Sequence, residues 1–316
     1  MAKHHYVSKF YYKEFTFNPE RSLVYSMDNE SKISNRPKSI RKISFEQDYN
    51  TPEQEQEQSQ LEREYAEILR EFIKAPNPND LELSRDFIEF VCFLVGNNPY
   101  IRGKLDEGFG NMDLQIKDAP GDHYISMPRG HKGKFDWSLA FADAVFEEFL
   151  NWRFVRLETN GYKVFITSDN PVSIINPQDV RIPIMADVLW RDPKVVNFGN
   201  EDIPVSDGWM SRKMEVQMTL KSVDFGRDVI MIFPVTPSVC LLGFSNNTRH
   251  LRYMNRTPRD NNDILAFMNL ITFSQCNKVV YSHSKELLKS TKINLPKFLN
   301  HCQRHGYPPS FEAGIA

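Results

Sequence analysis

DVIMIFPV (residues 228–235) and SVCLLGFS (238–245) are two strand-like apolar runs, joined by Pro234-Val235-Thr236-Pro237, which reads as a tight turn. Moving outward, RFVRLE (153–158) and KVFITS (163–168) flank Thr159-Asn160-Gly161. Asn-Gly between alternating runs is the strongest short hairpin signal, so a hairpin is expected there. MEVQMTL (214–220) adds another strand-like run, and VVYS (279–282) a short one. Between them DNNDILAFMNLITFSQC (260–276) reads as a helix with Asp260 near its N-cap, and a further helix starts at about 284. GYPPSFEAGIA (306–316) reads as a loose tail.

The first half has a different period. VSKFYYKEF (7–15) fits a short amphipathic helix with Ser8 at the N-cap position. SLVYSMDN (22–29) and residues 42–45 read as a small hairpin or sheet edge. Residues 53–72 form an amphipathic helix with Leu61, Tyr65, Ile68, Leu69 and Phe72 on its apolar face. APNPND (75–80) breaks the chain, and LSRDFIEFVCFLVG resumes as helix until Gly96-Asn97-Asn98-Pro99, a strong stop. PRGHKGK (128–134) is expected to be a mobile basic loop, and helix returns from Trp137 to Trp152. Helices before and antiparallel strands after make the fold class α+β, a helix-rich N-terminal half packed on a mainly antiparallel sheet of the C-terminal half. A single domain is expected over 1–300, its helical part about 53–152, its sheet part about 153–300 plus residues 3–46, with 301–316 as a tail.

The 316 residues can bury a core without disulfides or metals to hold it. Lys+Arg 39 against Asp+Glu 41 gives a net charge of -2, so no bulk charge argues for nucleic acid or a membrane surface. The most apolar stretch, Phe87 to Gly96, is far shorter than the roughly 18 residues of a span, so no membrane association is expected. Cys92, Cys240, Cys276 and Cys302 are far apart and form no CxxC pair, which reads as reduced thiols in a cytoplasmic protein. Dinucleotide, P-loop, GxSxG and HExxH motifs are absent. In Arg191-Asp192-Pro193-Lys194 the DxK resembles a nuclease motif, but Pro193 would break the strand that motif needs.

Four constellations carry chemistry. His4-His5 offers a general base or a ligand, against a packing role. Thr167-Ser168-Asp169-Asn170-Pro171 ends a strand with a carboxylate and an amide, which can hold a metal or orient a water, or simply build an Asx turn. His301 and His305 share a helix face at i and i+4, a spacing zinc ligands use. Residues 249–309 contain ten Lys/Arg and three Asp/Glu, and Arg252 and Arg256 lie in a basic stripe that suits phosphates. The same stripe also reads as an exposed loop that offsets the acidic helix.

Lys3-His4-His5-Tyr6-Val7 followed by Phe10-Tyr11 and Phe15 resembles the His-His-Tyr-Val-Pro-Gln-Phe-Tyr-Leu opening of a bacterial family, domain of unknown function 4238. Phe165-Ile166-Thr167-Ser168-Asp169-Asn170-Pro171-Val172, with Trp152 upstream, is similar to its central signature. Phe233-Pro234-Val235-Thr236-Pro237 resembles its later Pro-x-[Ser/Thr]-Pro segment, and Asn269 ahead of Val279-Val280-Tyr281-Ser282 its closing part. The resemblance runs from about residue 3 to 285. Ser8 stands where the family usually has Pro, Lys9 where it has Gln, and Asn97-Asn98-Pro99 where it has Arg-Thr-Pro.

The resemblance implies that His4 and His5 are native and that Asp169-Asn170 is a family motif, and it implies no reaction. Two functional readings follow. In the first the chain is a metal-dependent hydrolase of phosphodiesters or nucleotides, a reading that suits a prokaryotic toxin or defence effector. There His4 or His5 is base or ligand, Asp169 with Asn170 holds a divalent metal or water, and Arg252 and Arg256 clamp phosphates. In the second the chain is a non-catalytic binding protein. A histidine then bonds to the turn at Asp169, and the partner is a protein or nucleic acid.

Overall fold

The computed structural model describes residues 3–28, 30, 32–34, 36–47, 50–75, 83–103, 113–115, 124–126, 130–159, 164–175, 229–245 and 262–305. In chain order the first part runs β1 (Lys3–His5), α1 (Lys9–Lys13), β2 (Leu23–Asp28), β3 (Lys38–Ser39), β4 (Phe45–Gln47), α2 (Pro52–Lys74) and α3 (Arg85–Gly96). A further helical stretch covers 99–103. Then come β5 (Asp113–Gln115), β6 (Tyr124–Ser126), α4 (Gly130–Phe149), β7 (Arg153–Glu158), β8 (Thr167–Ser168) and β9 (Ser173–Ile175). The chain closes with β10 (Ile230–Thr236), β11 (Val239–Phe244), α5 (Asn262–Ser274), β12 (Val279–Ser282) and α6 (Lys285–His305). The architecture is α+β, and every strand pairing of the described residues is antiparallel.

The 228–245 runs form the hairpin β10–β11, with Ile230 opposite Phe244 and Phe233 opposite Leu241. Pro234 is tolerated because the register shifts between Pro234 and Thr236, a bulge where one ladder N–H is not required. Thr236 Oγ1 closes the turn by accepting the N–H groups of Ser238 (3.1 Å) and Val239 (3.0 Å). All residues of both strands are buried, which explains runs that are apolar throughout rather than alternating. Met231, Phe233, Val235, Val239 and Leu241 face a core shared with α1 to α4. Ile230, Ile232, Cys240, Leu242 and Phe244 face a second core with Phe267, Met268, Leu270 and Ile271 of α5. Helices therefore cover both faces of the sheet, whose strand order is β7-β11-β10-β9. A second sheet, β3-β2-β12-β8, stands beside it.

Helix α2 begins with a reciprocal capping box between Thr51 and Gln54. Its other end is held by Arg156 of β7, whose Nη1 donates to the carbonyls of Phe72 (2.6 Å) and Ala75 (3.0 Å) and whose Nη2 donates to Ile73 (3.1 Å). A cation at a helix C-terminus satisfies orphan carbonyls and complements the macrodipole. Helix α3 packs on α4 so closely that a Cβ on Gly96 would lie 2.4 Å from the Ser138 carbonyl oxygen.

The expected hairpin, basic loop and tail boundary change, whereas Ser8 stands at the expected N-cap position. Among the described residues, the two arms of the expected Asn-Gly hairpin, 153–158 and 163–168, do not pair with each other: β7 pairs with β11, and β8 pairs with β12 in the other sheet. Thr159 N donates to Ser238 O (2.8 Å) and Phe165 N to Pro237 O (2.7 Å), so both flanks are tied to the β10–β11 turn instead of to each other. Residues 130–134, expected in a basic loop, start α4. Ser8 occupies the N-cap of α1 but makes no side-chain cap bond; its hydroxyl donates to Glu62 instead. Helix α6 continues past residue 301 to His305. The expected strand at 214–220 and the tail 306–316 lie outside the described residues.

Gly96→Ala is expected to cost about 1–3 kcal/mol by forcing α3 and α4 apart, read as a fall of several degrees in melting temperature. Gly103→Ala, where a Cβ meets nothing within 4 Å, leaves it unchanged or raised; equal effects would refute the close packing.

Candidate functional site

The N-terminal segment is pinned by buried side-chain bonds. His4 and His5 sit in β1, paired with β4, and both are buried. His4 Nδ1 accepts the Asn50 N–H at 3.0 Å. The His5 carbonyl accepts Gln58 Nε2 at 2.9 Å, while its ring lies against Phe45 with both ring nitrogens buried and without a hydrogen-bond partner. Burial lowers the His5 pKa to about 4; the Lys9 charge adds to this, and the nearby Ile40 backbone opposes it weakly. The His5 ring is therefore uncharged at neutral pH.

Around it runs a continuous polar network. Asn50 Nδ2 donates to Gln58 Oε1 (2.7 Å) and Glu55 Oε2 (3.2 Å), and Arg102 Nη1 to Asn50 Oδ1 (2.8 Å). Arg102 Nη2 also donates to Asn97 Oδ1, and Asn97 Nδ2 to the Tyr6 carbonyl (2.8 Å). Glu62 Oε1 accepts from Ser8 (2.8 Å) and Gln58 (3.2 Å); burial raises its pKa, and those two bonds pull it back. Arg102, Asn50 and Gln58 were not singled out from the sequence. An arginine or amide reveals its burial only through its neighbours in space.

Two tyrosines of α1 reach further. Tyr11 Oη donates to the Pro234 carbonyl at 2.5 Å and lies 2.6 Å from Thr167 Oγ1. Tyr12 Oη donates to the Ser168 carbonyl at 3.1 Å and lies 2.5 Å from Ser44 Oγ. Ser44 holds that hydroxyl in place at φ 49°, a left-handed conformation uncommon for serine.

Asp169 follows β8 and is 1% exposed. Its Oδ1 accepts the N–H of Asn277 (2.9 Å), and its Oδ2 accepts those of Lys278 (2.8 Å) and Val279 (3.2 Å). Three successive backbone amides thus cradle the carboxylate at the entry to β12. Burial pushes its pKa up to about 6 against the pull of those amides. Its hydrogen bonds join it to neither His4 nor His5. Both Asp169 oxygens, expected to hold a metal or water, accept backbone N–H groups, which take three of the roughly four acceptor positions of a carboxylate. Among the described residues, no group of three or more His, Cys, Asp or Glu side chains could hold a metal ion. Arg252 and Arg256 lie outside the described residues, as do the side chains of His301 and His305.

Asn170 does reach a cavity, of about 430 Å³, between the end of α3, the turn after Asp169 and the α5–β12 link. Val95, Ile101, Val172 and Ile174 give it an apolar wall, with Tyr100 and Pro99 at one side. Asn98, Asn170, Ser274, Gln275 and Asn277 give it a polar one, with Cys276 and Lys278. Asn170 Nδ2 donates to Gln275 O at 2.9 Å. Asn98 Oδ1 accepts Tyr100 N (2.8 Å) and Asn277 Nδ2 (3.1 Å). Burial first, then the Asp169 charge, raises the Cys276 thiol pKa, so Cys276 is not poised as a thiolate nucleophile.

The two shifted groups oppose each other in pH. His5 gains its proton near 6.5 when unfolded but only at about 4 when folded, so its stabilising contribution is lost as pH falls through that window. Asp169 rises from 3.8 to about 6, so its contribution is present at low pH and is lost as pH rises through 6. His5→Phe removes the first term alone. Its melting temperature relative to the native chain should climb as pH falls from 6.5 toward 4; a difference constant with pH would refute the assignment.

No curated protein and no solved structure gives a significant match. The family model described as "Protein of unknown function (DUF4238)" spans the β1 histidines, the α2–α3 network and the Asp169 turn, ending before the hairpin and Asn269 segments that resembled the family in sequence. Matching residues 3–183, more than half of its length, the chain belongs to that family.

Proposed function

We propose that the protein is a non-catalytic binding protein whose His-His and Asp-Asn-Pro motifs are structural and whose binding site is the Asn170 cavity. The observation that carries this reading is the Asp169 carboxylate, buried and taken up by three backbone amides. A carboxylate in that state tethers the start of β12 to the end of β8, with most of its acceptor capacity spent on backbone amides. His5, neutral and stacked on Phe45, supports it as well. The cavity volume falls within the range of small-molecule sites, roughly 300–1,000 Å³. Among the described residues no helix is long and apolar enough to cross a membrane. Three free thiols, Cys92, Cys240 and Cys276, support a reducing compartment such as the cytoplasm.

The competing hydrolase reading shares the same residues, so one experiment separates them. DNA, RNA and nucleoside phosphates are incubated with the protein and Mg, Mn or Zn, beside the Asp169→Asn variant. The expected result is no turnover, with Asp169→Asn losing about 1–3 kcal/mol because an amide N–H would face backbone donors. Turnover that Asp169→Asn abolishes without lowering the melting temperature would overturn the binding reading in favour of a metal-dependent hydrolase.

A further inference from the structure

We propose that the Asn170 cavity binds a mononucleotide, its base held between Tyr100 and two asparagine amides and its phosphate at Lys278. This rests on the cavity being a binding site, and it adds the ligand class.

The amide orientations follow from their backbone partners. Asn98 Oδ1 is occupied by the Tyr100 N–H, so its Nδ2 is the atom left over, and no hydrogen bond is made by that donor among the described residues. Asn170 Nδ2 is occupied by the Gln275 carbonyl, so its Oδ1 is left as a free acceptor. These two amides offer the cavity a neutral donor and a neutral acceptor, and Asn277 bonds to both Asn98 and Asp169, the residue before Asn170. A donor–acceptor pair of this kind matches the edge of a nucleobase, which amide side chains read in the same way. Tyr100 lines the cavity and is 37% exposed, which places an aromatic side chain, the type on which bases stack, at the site. The apolar wall of Val95, Ile101, Val172 and Ile174 suits a flat ring with polar groups on one edge. A sugar would instead turn several hydroxyls toward that wall and leave them unpaired.

Charge points to the phosphate. Lys278 is the charged residue of the lining, and no carboxylate side chain lines the cavity among the described residues. Its side chain is 72% exposed and its ammonium sits 3.9 Å from Glu46, a loose contact that leaves it able to meet an anion. The volume of about 430 Å³ fits one nucleotide rather than a strand or duplex.

The test is isothermal titration of the full chain with the common nucleosides, their 5′-monophosphates, ribose 5-phosphate, inorganic phosphate and free hexoses. We expect at least one monophosphate to bind one per chain, with ribose 5-phosphate and phosphate about tenfold weaker or worse. Asn98→Asp keeps the oxygen that caps Tyr100 but removes the free donor. It and Tyr100→Ala should each weaken binding about tenfold at unchanged melting temperature, the loss of one hydrogen bond or stacking contact. Lys278→Met should remove the preference for the monophosphate over its nucleoside. Absence of binding by every nucleoside and nucleotide, equal binding of ribose 5-phosphate, or full affinity in both Asn98→Asp and Tyr100→Ala would overturn the proposal. Hexose binding lost in Tyr100→Ala would overturn the ligand class and keep the binding reading. Release of a cleaved product from a bound nucleotide would keep the ligand and overturn the non-catalytic reading.

Discussion

The β10–β11 hairpin is buried on both faces, and the rest of the molecule follows from the need to cover it. Phe233 on one face stacks on Tyr11 of α1 at 5.6 Å and meets Phe90 of α3 at 6.1 Å. Ile232 and Leu242 on the other face meet α5. A strand pair with apolar side chains on both sides cannot sit at a sheet surface, because each exposed face would leave a large apolar area in water. Two helical layers are the solution, one from the N-terminal half and one from the single helix α5.

Covering the hairpin brings polar groups into the interior, and each must find a partner there. The α1 tyrosines bury their rings against the core and their hydroxyls reach Thr167 and Ser168 of β8 and Pro234 of β10, two separate backbone segments. Asn269 of α5 does the same work for the stretch before β8, accepting Ile166 N at 2.9 Å and donating to Val164 O at 3.0 Å. Asp169 closes the far end with its three amides. The motif residues are therefore the ties between the two sheets and the helical layer. Their chemistry is that of hydrogen-bond partners with few alternatives, since an unpaired buried polar group costs more than a paired one returns. The cavity beside Asn170 is what remains where the α3 end, the Asp169 turn and the α5–β12 link meet without closing.

Where sequence reading succeeded, the signal was local. The apolar face of α2, the apolar run of α3 with its Gly96-Asn97-Asn98-Pro99 stop, and the α5 helix all depend on spacing along one segment. It misjudged β7 because the Asn-Gly signal speaks only about neighbours in sequence. The alternate residues of β7 match β11, and that longer ladder outweighs a two-residue turn. The candidate site divides in the same way. Asp169 and Asn170 stood out as a turn with chemistry, yet one became a buried tether and the other a cavity wall, although they are adjacent. Tyr100 and Lys278 carried no signal at all, being an ordinary aromatic and an ordinary lysine until the fold brought them to one opening.

What the sequence by itself determined is the class of the fold, the position of most helices and the double-faced apolar hairpin, because periodicity, caps and turn residues act within a few residues of each other. Which strand pairs with which, whether a histidine or aspartate is buried or open, and which distant amides share a cavity were decided by tertiary structure alone. Those properties depend on desolvation and on hydrogen-bond partners more than 100 residues away, as Asn277 is from Asp169. No local pattern encodes them.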